Sequence, residues 1–400
     1  MWISHFFATL LIMPPRKKTP VKDIIRQVHL YLGLTSGIIM VIVALTGSML
    51  VFEEESRELF QHSYYHVAQV GEQRVPLQQM RDTFKAHYPK EKINSIRFKE
   101  EKDAAFVFYT KGDKAVSIDP YTANIIGVRN LKKDFFGVVE DIHRHLLLGD
   151  VGDVIIACNV LIFFIMCITG LVLWWPKQKR FFKQAVRINF KTKNWKRFNW
   201  DLHSVLGFYA LLILFIISLT GLFFAFDTVK DIARFLTHEP KPKKEEKLKS
   251  VRVKGTRFTI DDAYQYMCLN YAGAKETFIN PPTDSTATIR VIMRYPYAIV
   301  RKQNSLYFDQ YSGKILKTEL YKDYTAYNNI SRSNRDFHTG AIHALGIGSK
   351  IIYFFAALIA ASLPITGFLI WWGRQKKTKK KQKVAVVQTD TAKLFIHDEL

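Results

Sequence analysis

The sequence has few cysteines and none of the common nucleotide-binding motifs. Its 400 residues include three cysteines, Cys158, Cys167 and Cys268, which excludes a scaffold held together by several disulfides. No CxxC segment and no Cys/His pair at zinc-finger spacing occurs. GxGxxG and P-loop segments are absent too, so the chain carries no recognisable site for NAD(P), FAD or ATP.

Charge is missing from four long stretches of the chain. Each has twenty or more residues without Asp, Glu, Lys or Arg: Val28–Phe52, Val154–Trp175, Leu202–Phe226 and Ile351–Gly373. The hydrocarbon core of a bilayer is about 30 Å thick, and a helix crosses it with about 20 residues. The sequence therefore predicts four transmembrane helices.

Acidic residues are scarce beside these stretches, whereas basic residues are plentiful. Segment 176–200 has nine Lys or Arg and no Asp or Glu, and segment 374–383 adds seven basic residues. Five more basic residues lie within 16–26, before the first stretch. The positive-inside rule places these segments, and with them both termini, in the cytoplasm. Because the basic runs adjoin predicted membrane helices, the net charge of +23 does not indicate nucleic-acid binding.

The two halves of the chain are alike, which predicts an internal tandem duplication. His29–Gly33 and Leu45–Gly47 recur 174 residues later as His203–Gly207 and Leu219–Gly221. In the second and fourth stretches, Asp-x-His precedes Thr-Gly and Trp-Trp. The residues are Asp141, His143, Thr169, Gly170, Trp174 and Trp175 in one half and Asp336, His338, Thr366, Gly367, Trp371 and Trp372 in the other. We expect each Thr-Gly to allow close helix packing.

Between the stretches of each half, the pattern predicts a small α+β module. Helices are predicted over 77–88 and 260–271. Strands are predicted near 93–98, 105–109 and 115–118, and near 287–293, 298–303 and 305–308. Both αβββ modules lie opposite the basic segments, on the extracytoplasmic side. Asp119 and Asp309 follow the last strand of each module and are expected to form Asx-turns.

The predicted fold is an α-helical membrane protein with four transmembrane helices and two small α+β (αβββ) modules. The predicted boundaries are an N-terminal extension at 1–23, transmembrane helices at 24–53, 136–176, 200–227 and 333–373, modules at 54–135 and 228–332, a basic loop at 177–199 and a basic tail at 374–400. A straight helix from His143 to Trp175 would be about 48 Å long, well beyond the hydrocarbon core. We therefore expect interruptions at Gly149 with Gly152, and at Gly346 with Gly348.

This alternation of span, module and span, with its His-x-x-x-Gly, Thr-Gly and Trp-Trp motifs, resembles the PepSY-associated transmembrane proteins. The resemblance covers about residues 24–374 and rests on the segments DIHRHLLLG, WDLHSVLGF, DFHTG and GFLIWW. That family includes iron-uptake-linked inner-membrane proteins and ferric-siderophore reductases. The resemblance implies a bacterial inner-membrane location, PepSY-like modules, haem held by membrane histidines and electron transfer to ferric siderophores.

Four of the twelve histidines recur at equivalent positions, namely His29, His143, His203 and His338. The predicted topology puts His29 and His203 near the cytoplasmic face and the other two near the periplasmic face. Two histidines that face each other across a helix bundle can ligate a b-type haem, and the absence of CxxCH excludes c-type attachment. We predict two b-type haems, with these histidines as their iron ligands and no further catalytic residue.

The outer ligands have alternates in His145 and His343. These lie 24 and 23 residues from the Thr-Gly of their spans, a closer match in depth than the 26 and 28 of His143 and His338. The Asp-x-His context and the family resemblance favour His143 and His338 instead. Four arginines near the histidine levels are candidates for pairing with haem propionates: Arg26, Arg144, Arg197 and Arg335.

These expectations combine into a ferric-siderophore reductase, which is a metalloreductase. Electrons from a cytoplasmic or quinol donor would cross the bilayer to a ferric siderophore in the periplasm. Reduction would release Fe(II), because Fe(II) is held more weakly than Fe(III) by hard oxygen ligands. The alternative is a non-catalytic membrane protein whose modules bind a peptidase or another envelope partner, and whose histidines are structural.

Overall fold

The computed structural model describes residues 21–176, 178–241, 248–252 and 257–397, with side chains described as far as residue 375. Most of the predicted N-terminal extension therefore lies outside the described residues. In chain order the helices are α1 (Val21–Val51), α2 (Glu53–Phe60), α3 (His62–Tyr65), α4 (Leu77–His87), α5 (Phe135–His145), α6 (Asp150–Trp174), α7 (Phe182–Ala185), α8 (Trp195–Asp201), α9 (Gly207–Ala225), α10 (Asp227–Leu236), α11 (Ile260–Asn270), α12 (Ala326–Thr339) and α13 (Ile347–His397).

Among the described residues, four helical segments are long and apolar enough to cross a membrane: Val21–Val51, Asp150–Trp174, Trp195–Ala225 and Ile347–Gln375. The prediction of four transmembrane helices is confirmed by their length and composition. The third is not a uniform α-helix, because a π-helical turn over Leu202–Leu206 joins α8 to α9. Such turns are rare and frequently occur at functional sites. This one contains His203.

The two predicted spans that carry Asp-x-His and Trp-Trp, 136–176 and 333–373, are not single helices. In each, a short helix with the histidine precedes a long apolar helix. Segment 136–176 is divided into α5 and α6 by residues in left-handed conformation, including Leu146 and Gly149. In the other half, Gly340 ends α12 and Gly346, with φ of 53°, directly precedes α13. The expected interruptions at Gly149 and Gly346 are confirmed. His143 and His338 thus lie on short helices of their own, before the long apolar ones.

Within the part of the chain that the structure describes, one antiparallel sheet of eight strands contains both modules. The strands are β1 (Ile93–Lys99), β2 (Phe106–Thr110), β3 (Lys114–Ile118), β4 (Ile125–Asn130), β5 (Glu276–Asn280), β6 (Thr288–Tyr295), β7 (Lys302–Asp309) and β8 (Ile315–Glu319). Their order is β4-β3-β2-β1-β5-β6-β7-β8, so β1 and β5 join the two modules. Arg97 on β1 lies opposite Phe278 on β5.

Each module has four strands, where the sequence predicted three. The edge strands β4 and β8 have mostly half-buried residues and lack the strict alternation that marks a strand. The sequence did not predict β5. Residues 298–301 of the strand predicted at 298–303 are in a loop, and the rest of it joins the strand predicted at 305–308 as one strand, β7. Its polar residues Gln303 and Asn304 are buried, whereas a sequence pattern with such residues favours a turn. The predicted Asx-turns are confirmed, since Asp119 and Asp309 accept from the backbone N–H of Tyr121 and Tyr311 at 2.7 and 2.8 Å.

Two helices cover one face of the sheet and form its core. Phe84 of α4 and Met267 of α11 pack with Phe106, Phe108 and Phe308 of the strands. Tyr64 of α3 packs on Val107 and Ala115, whose side chains point to the opposite face because successive strand residues alternate. The chain divides into two compact units. We call residues 1–45, 158–218 and 356–400 the helix unit, and residues 46–157 and 219–355 the sheet unit.

Candidate functional site

In the helix unit, His29 of α1 faces His203 of the π-helical turn. Their ring centroids lie 6.5 Å apart, and their planes are nearly perpendicular, at 89°. Both residues are the first of a His-x-x-x-Gly segment. The structure therefore brings together the two histidines that the sequence predicts near the cytoplasmic face.

Threonine hydroxyls determine which nitrogen of each ring carries the proton. Thr169 donates its hydroxyl hydrogen to the carbonyl of Ile165 at 2.9 Å, and Thr366 donates to that of Ser362 at 3.0 Å. A hydroxyl has one hydrogen, so each threonine oxygen can only accept from the imidazole. His29 Nδ1 donates to Thr169 at 2.8 Å, and His203 Nδ1 donates to Thr366 at 2.9 Å. A neutral imidazole that donates from Nδ1 has its lone pair on Nε2, which is the form in which histidine binds metals.

The glycine after each threonine borders the ring, closely at Gly367 and at an ordinary contact distance at Gly170. A Cβ at Gly170 would lie 3.5 Å from His29 Cε1, and one at Gly367 would lie 3.3 Å from His203 Cε1. A cavity of about 430 Å³ adjoins both histidines, and its other walls are mostly apolar. That volume is within the range of about 300–1,000 Å³ that is typical of cofactor sites.

A buried asparagine supports the threonine of His203. Asn199, four residues before His203, donates its amide to the backbone carbonyl of Thr366 at 3.0 Å. Thr366 therefore contacts α8 through its backbone carbonyl and the His203 imidazole through its hydroxyl. In the same turn, Arg197 forms an ion pair with the buried Asp201 at 2.8 Å.

The sheet unit contains a second pair, formed by His143 of α5 and His338 of α12. Their ring centroids lie 6.4 Å apart, with planes at 64°. His143 Nδ1 lies 3.2 Å from the hydroxyl of Thr46, and His338 Nδ1 lies 2.9 Å from that of Thr220. A Cβ at Gly47, the residue after Thr46, would lie 2.9 Å from His143 Cε1.

Asparagine support recurs at this pair. Asn334, four residues before His338, donates its amide to the backbone carbonyl of Thr220 at 3.1 Å. Two residues further on, the buried Asp336 accepts hydrogen bonds from Tyr297 at 3.0 Å and from Arg301. Burial raises the pKa of Tyr297 to about 12, so this hydroxyl keeps its hydrogen at physiological pH. Two buried side chains within the four residues before His338 therefore hold this helix in place.

The alternates His145 and His343 do not face each other. His145 Nδ1 lies 2.8 Å from Asp141, and its Nε2 lies 3.3 Å from Asp153. His343 is exposed and packs edge-on against Tyr297, with ring centroids 4.5 Å apart. Counting residues back from the Thr-Gly therefore selects two histidines, His145 and His343, whose rings contact other residues.

Of the four predicted arginines, Arg26 lines the cavity beside His29, where it also pairs with Asp23 at 2.5 Å. Arg144 pairs with Glu140 on the surface, Arg197 pairs with Asp201, and Arg335 is exposed. Arg374, which the sequence did not single out, lines the same cavity and lies over the Trp200 ring at 5.7 Å.

Both ring separations suit a metal ion held between two imidazoles. A metal–nitrogen bond to histidine is about 2.0–2.1 Å long, and the ring centre lies about 1.2 Å behind the nitrogen. Two collinear axial imidazoles would therefore have centroids about 6.4 Å apart. The pairs measure 6.5 and 6.4 Å. The ring separations of His29 with His203 and of His143 with His338 are therefore those expected of two imidazoles that bind one metal ion.

No curated protein sequence matches the chain. The model of the PepSY-associated TM region matches residues 26–374, a range that includes all four facing histidines and their threonines. The chain is a multi-pass membrane protein that belongs to the PepSY-associated transmembrane family.

Proposed function

We propose that the protein is a di-haem oxidoreductase of the bacterial inner membrane, which passes electrons from the cytoplasmic side to a ferric siderophore in the periplasm. The observation that carries the proposal is the repetition of one arrangement. Each unit holds two histidines at a ring separation of 6.5 or 6.4 Å, with each Nδ1 at a threonine hydroxyl. Histidines with a purely structural role would not need the same ring separation in both units.

The proposed cofactor is haem b, one at each pair. When bound, it supplies reversible one-electron transfer between ferric and ferrous iron. The chain's own residues prepare the axial positions. Thr169 and Thr366 hold the protons of His29 and His203 on Nδ1, which orients the rings and makes them more basic ligands. Leucine, phenylalanine and tryptophan side chains of the cavity keep water away from the inner pair.

The proposed orientation follows from charge. Segment 176–200, with nine basic residues and no acid, connects the second and third spans, so the positive-inside rule puts it in the cytoplasm. His29 and His203 then belong to the cytoplasmic side, with Arg26 and Arg374 available to pair with haem propionates. The sheet and the pair of His143 and His338 belong to the periplasmic side. Both termini are cytoplasmic, and a tandem duplication accounts for the equivalence of the two halves.

The proposed substrate is iron(III) chelated by a siderophore, and the donor is a cytoplasmic reductase or a quinol. The substrate rests on membership in a family that includes ferric-siderophore reductases. One electron per iron reduces Fe(III) to Fe(II), which the hard oxygen ligands of a siderophore hold less tightly. This one-electron reduction transfers no proton, so it needs no acid or base from the protein.

Haem content tests the ligand assignment. We expect two haems per purified chain, one in His203→Ala and in His143→Ala, and none in the double variant, measured as pyridine haemochrome against protein mass. His145→Ala should keep both haems. His87→Ala is a matched control, since His87 is exposed on α4 and bonds only a carbonyl of its own helix among described residues. A colourless wild-type protein from haem-replete cells would favour the non-catalytic alternative.

Transmembrane reduction tests the activity itself. Proteoliposomes with reductant inside and a ferric siderophore plus an Fe(II) chelator outside should form the Fe(II) complex. His203→Ala should abolish this signal, although its outer haem should still be reduced by dithionite added outside. Undiminished reduction by His203→Ala would remove the inner pair from the electron path.

A further inference from the structure

A second set of potential ligands lies in the sheet unit, apart from both histidine pairs. Glu58, His62 and His66 each offer one ligand atom, and these three atoms all lie within 4.8 Å of one another. The rings of His62 and His66 are stacked, with centroids 4.2 Å apart and planes at 11°. We call these three residues the Glu-His-His cluster.

The backbone explains why these side chains meet. Glu58 is in the last turn of α2, and Gln61 interrupts the helix before His62 begins α3. His66 then pairs with Ala104 as an isolated antiparallel bridge. Val67 donates to the carbonyl of Asp103 at 2.8 Å, which extends that pairing. His66 is therefore attached to the loop before β2, while Glu58 and His62 approach it from the helices.

Asp103 orients the His66 ring. Its carboxylate lies 2.8 Å from His66 Nδ1, and His66 Nε2 points to Glu58 on the other side. A carboxylate at Nδ1 keeps the proton there and leaves Nε2 as the ligand, which is the usual arrangement behind a metal-bound histidine. Here His66 Nε2 is directed at Glu58, and a ligand atom of His62 lies within 4.8 Å of the ligand atoms of both residues.

We propose that the Glu-His-His cluster binds a divalent first-row transition ion, with Asp103 as the residue that positions His66. Two imidazoles and one carboxylate are the donor set of Zn²⁺ sites with an open position and of non-haem Fe²⁺ sites. Hard ions such as Mg²⁺ and Ca²⁺ prefer all-oxygen sites and are disfavoured by the two imidazoles. His62 is exposed, so an ion can enter from solvent. The site is independent of haem and of the proposed reductase activity.

The competing account is an ion pair, in which a protonated His66 bridges Glu58 and Asp103. That account needs no contribution from His62, whose ring would only stack. The metal site requires His62 as a ligand, so His62 distinguishes the two. Removal of His62 also leaves the contacts of His66 with both carboxylates in place, which protects the fold of the variant.

Zinc binding to the full-length protein in detergent tests the proposal. The protein carries no histidine tag, is treated with EDTA and is dialysed against Zn²⁺; bound zinc is measured by mass spectrometry of the elements. We expect one zinc per chain, and at least tenfold weaker binding in His62→Asn and Glu58→Gln. Asp103→Asn should weaken binding about 10- to 100-fold. The control His87→Asn should bind zinc as the wild type does. Fe²⁺ and Co²⁺ should compete, and Mg²⁺ should not.

Equal zinc binding by the wild type, His62→Asn and Glu58→Gln would overturn the proposal. Zinc-free wild-type protein at concentrations that saturate ordinary zinc sites would also overturn it. Gel filtration and thermal melting of each variant show whether it is folded. These readouts do not depend on haem, so a failure of the haem assignment leaves this result interpretable.

Discussion

Threonine is the residue that connects each histidine to the spans. Thr366 accepts from His203 and donates to Ser362. A hydrogen bond at Nδ1 makes imidazole a stronger donor to a metal, which favours ferric over ferrous iron. If the inner pair holds the proposed haem, loss of the bond should raise the reduction potential of that haem and weaken its binding about 10- to 100-fold.

The test is Thr366→Val, which keeps the shape of the side chain and removes the hydroxyl. Redox titration of the haem absorbance should show one of two potentials raised, with the other unchanged. The matched control is Ser362→Ala, one turn earlier, because the Ser362 hydroxyl bonds only a carbonyl of its own helix among the described residues. Equal potentials in wild type and Thr366→Val would contradict the role of the hydroxyl.

The sequence predicted the histidines but not their hydrogen-bond partners. The repeat identified His29, His143, His203 and His338, and these four meet in pairs. Thr-Gly was interpreted as a packing motif, since small residues commonly line helix contacts. Its glycine does allow close approach, but to an imidazole ring. The available signal was the number of copies, because Thr-Gly occurs once in each of the four spans.

Sequence patterns could not predict two sets of residues in these sites. Asn199 and Asn334 each bind a carbonyl more than one hundred residues away, so nothing local marks them. The cluster of Glu58, His62 and His66 follows a helical spacing of four, yet Gln61 interrupts the helix there. Asp103 joins it only through the pairing of His66 with Ala104.

Among the elements, the seam between β1 and β5 depends on one carboxylate. Glu276 of β5 accepts from Arg97 of β1 at 2.5 Å and from Arg294 of β6 at 2.6 Å. Burial alone would raise the pKa of Glu276, but the two guanidinium groups lower it below its usual value. The ion pairs therefore stabilise the fold above about pH 4.5, and this contribution is lost as the pH falls through the lowered pKa.

Glu276→Gln should lower the stability of the sheet unit by about 1–3 kcal/mol at pH 7, because two partly buried guanidinium groups lose their partner. The difference from wild type should shrink at acid pH, where Glu276 becomes protonated. Thermal melting followed by circular dichroism at both pH values measures this. Glu100→Gln is the matched control, since its pair with Lys275 is exposed and should contribute little to stability. A pH-independent difference would contradict the assignment.

The sequence predicted the elements of the modules better than their number and pairing. The helices over 77–88 and 260–271 agree with α4 and α11 within a residue, because their apolar positions recur on one face. The edge strands β4 and β8 were missed, because half-buried strands do not alternate cleanly. The inner strand β5 was missed as well, although buried and half-buried residues alternate along it. The β1–β5 pair could not be predicted, because two unpaired strand edges carry no sequence signal for each other.

For the whole molecule, the proposed topology can be tested with the protein's own cysteine. Cys268 is exposed on α11, in the sheet unit. In a Cys158→Ser, Cys167→Ser background, a membrane-impermeant maleimide should label Cys268 in intact spheroplasts. Partial burial raises the pKa of this thiol, so labelling is done at about pH 8.5.

The counterpart is Gln184→Cys in a chain that also carries Cys268→Ser. Gln184 is exposed in the basic loop, so the new thiol should react only after the membrane is permeabilised. Labelling of Gln184→Cys in intact spheroplasts would contradict the proposed orientation. It would also contradict the assignment of His29 and His203 to the cytoplasmic side.

The β1–β5 seam also has a consequence for biosynthesis. Arg97 and Glu276 meet across the seam but lie 179 residues apart in the chain. Ribosomes add about 5–20 residues per second, so β1 waits on the order of 10 to 40 s for β5 to be made. During that time its free edge is a template for pairing with any other strand, including β1 of a neighbouring chain on the same polysome. The rate of translation through the second and third spans thus limits how many nascent chains complete the sheet within themselves.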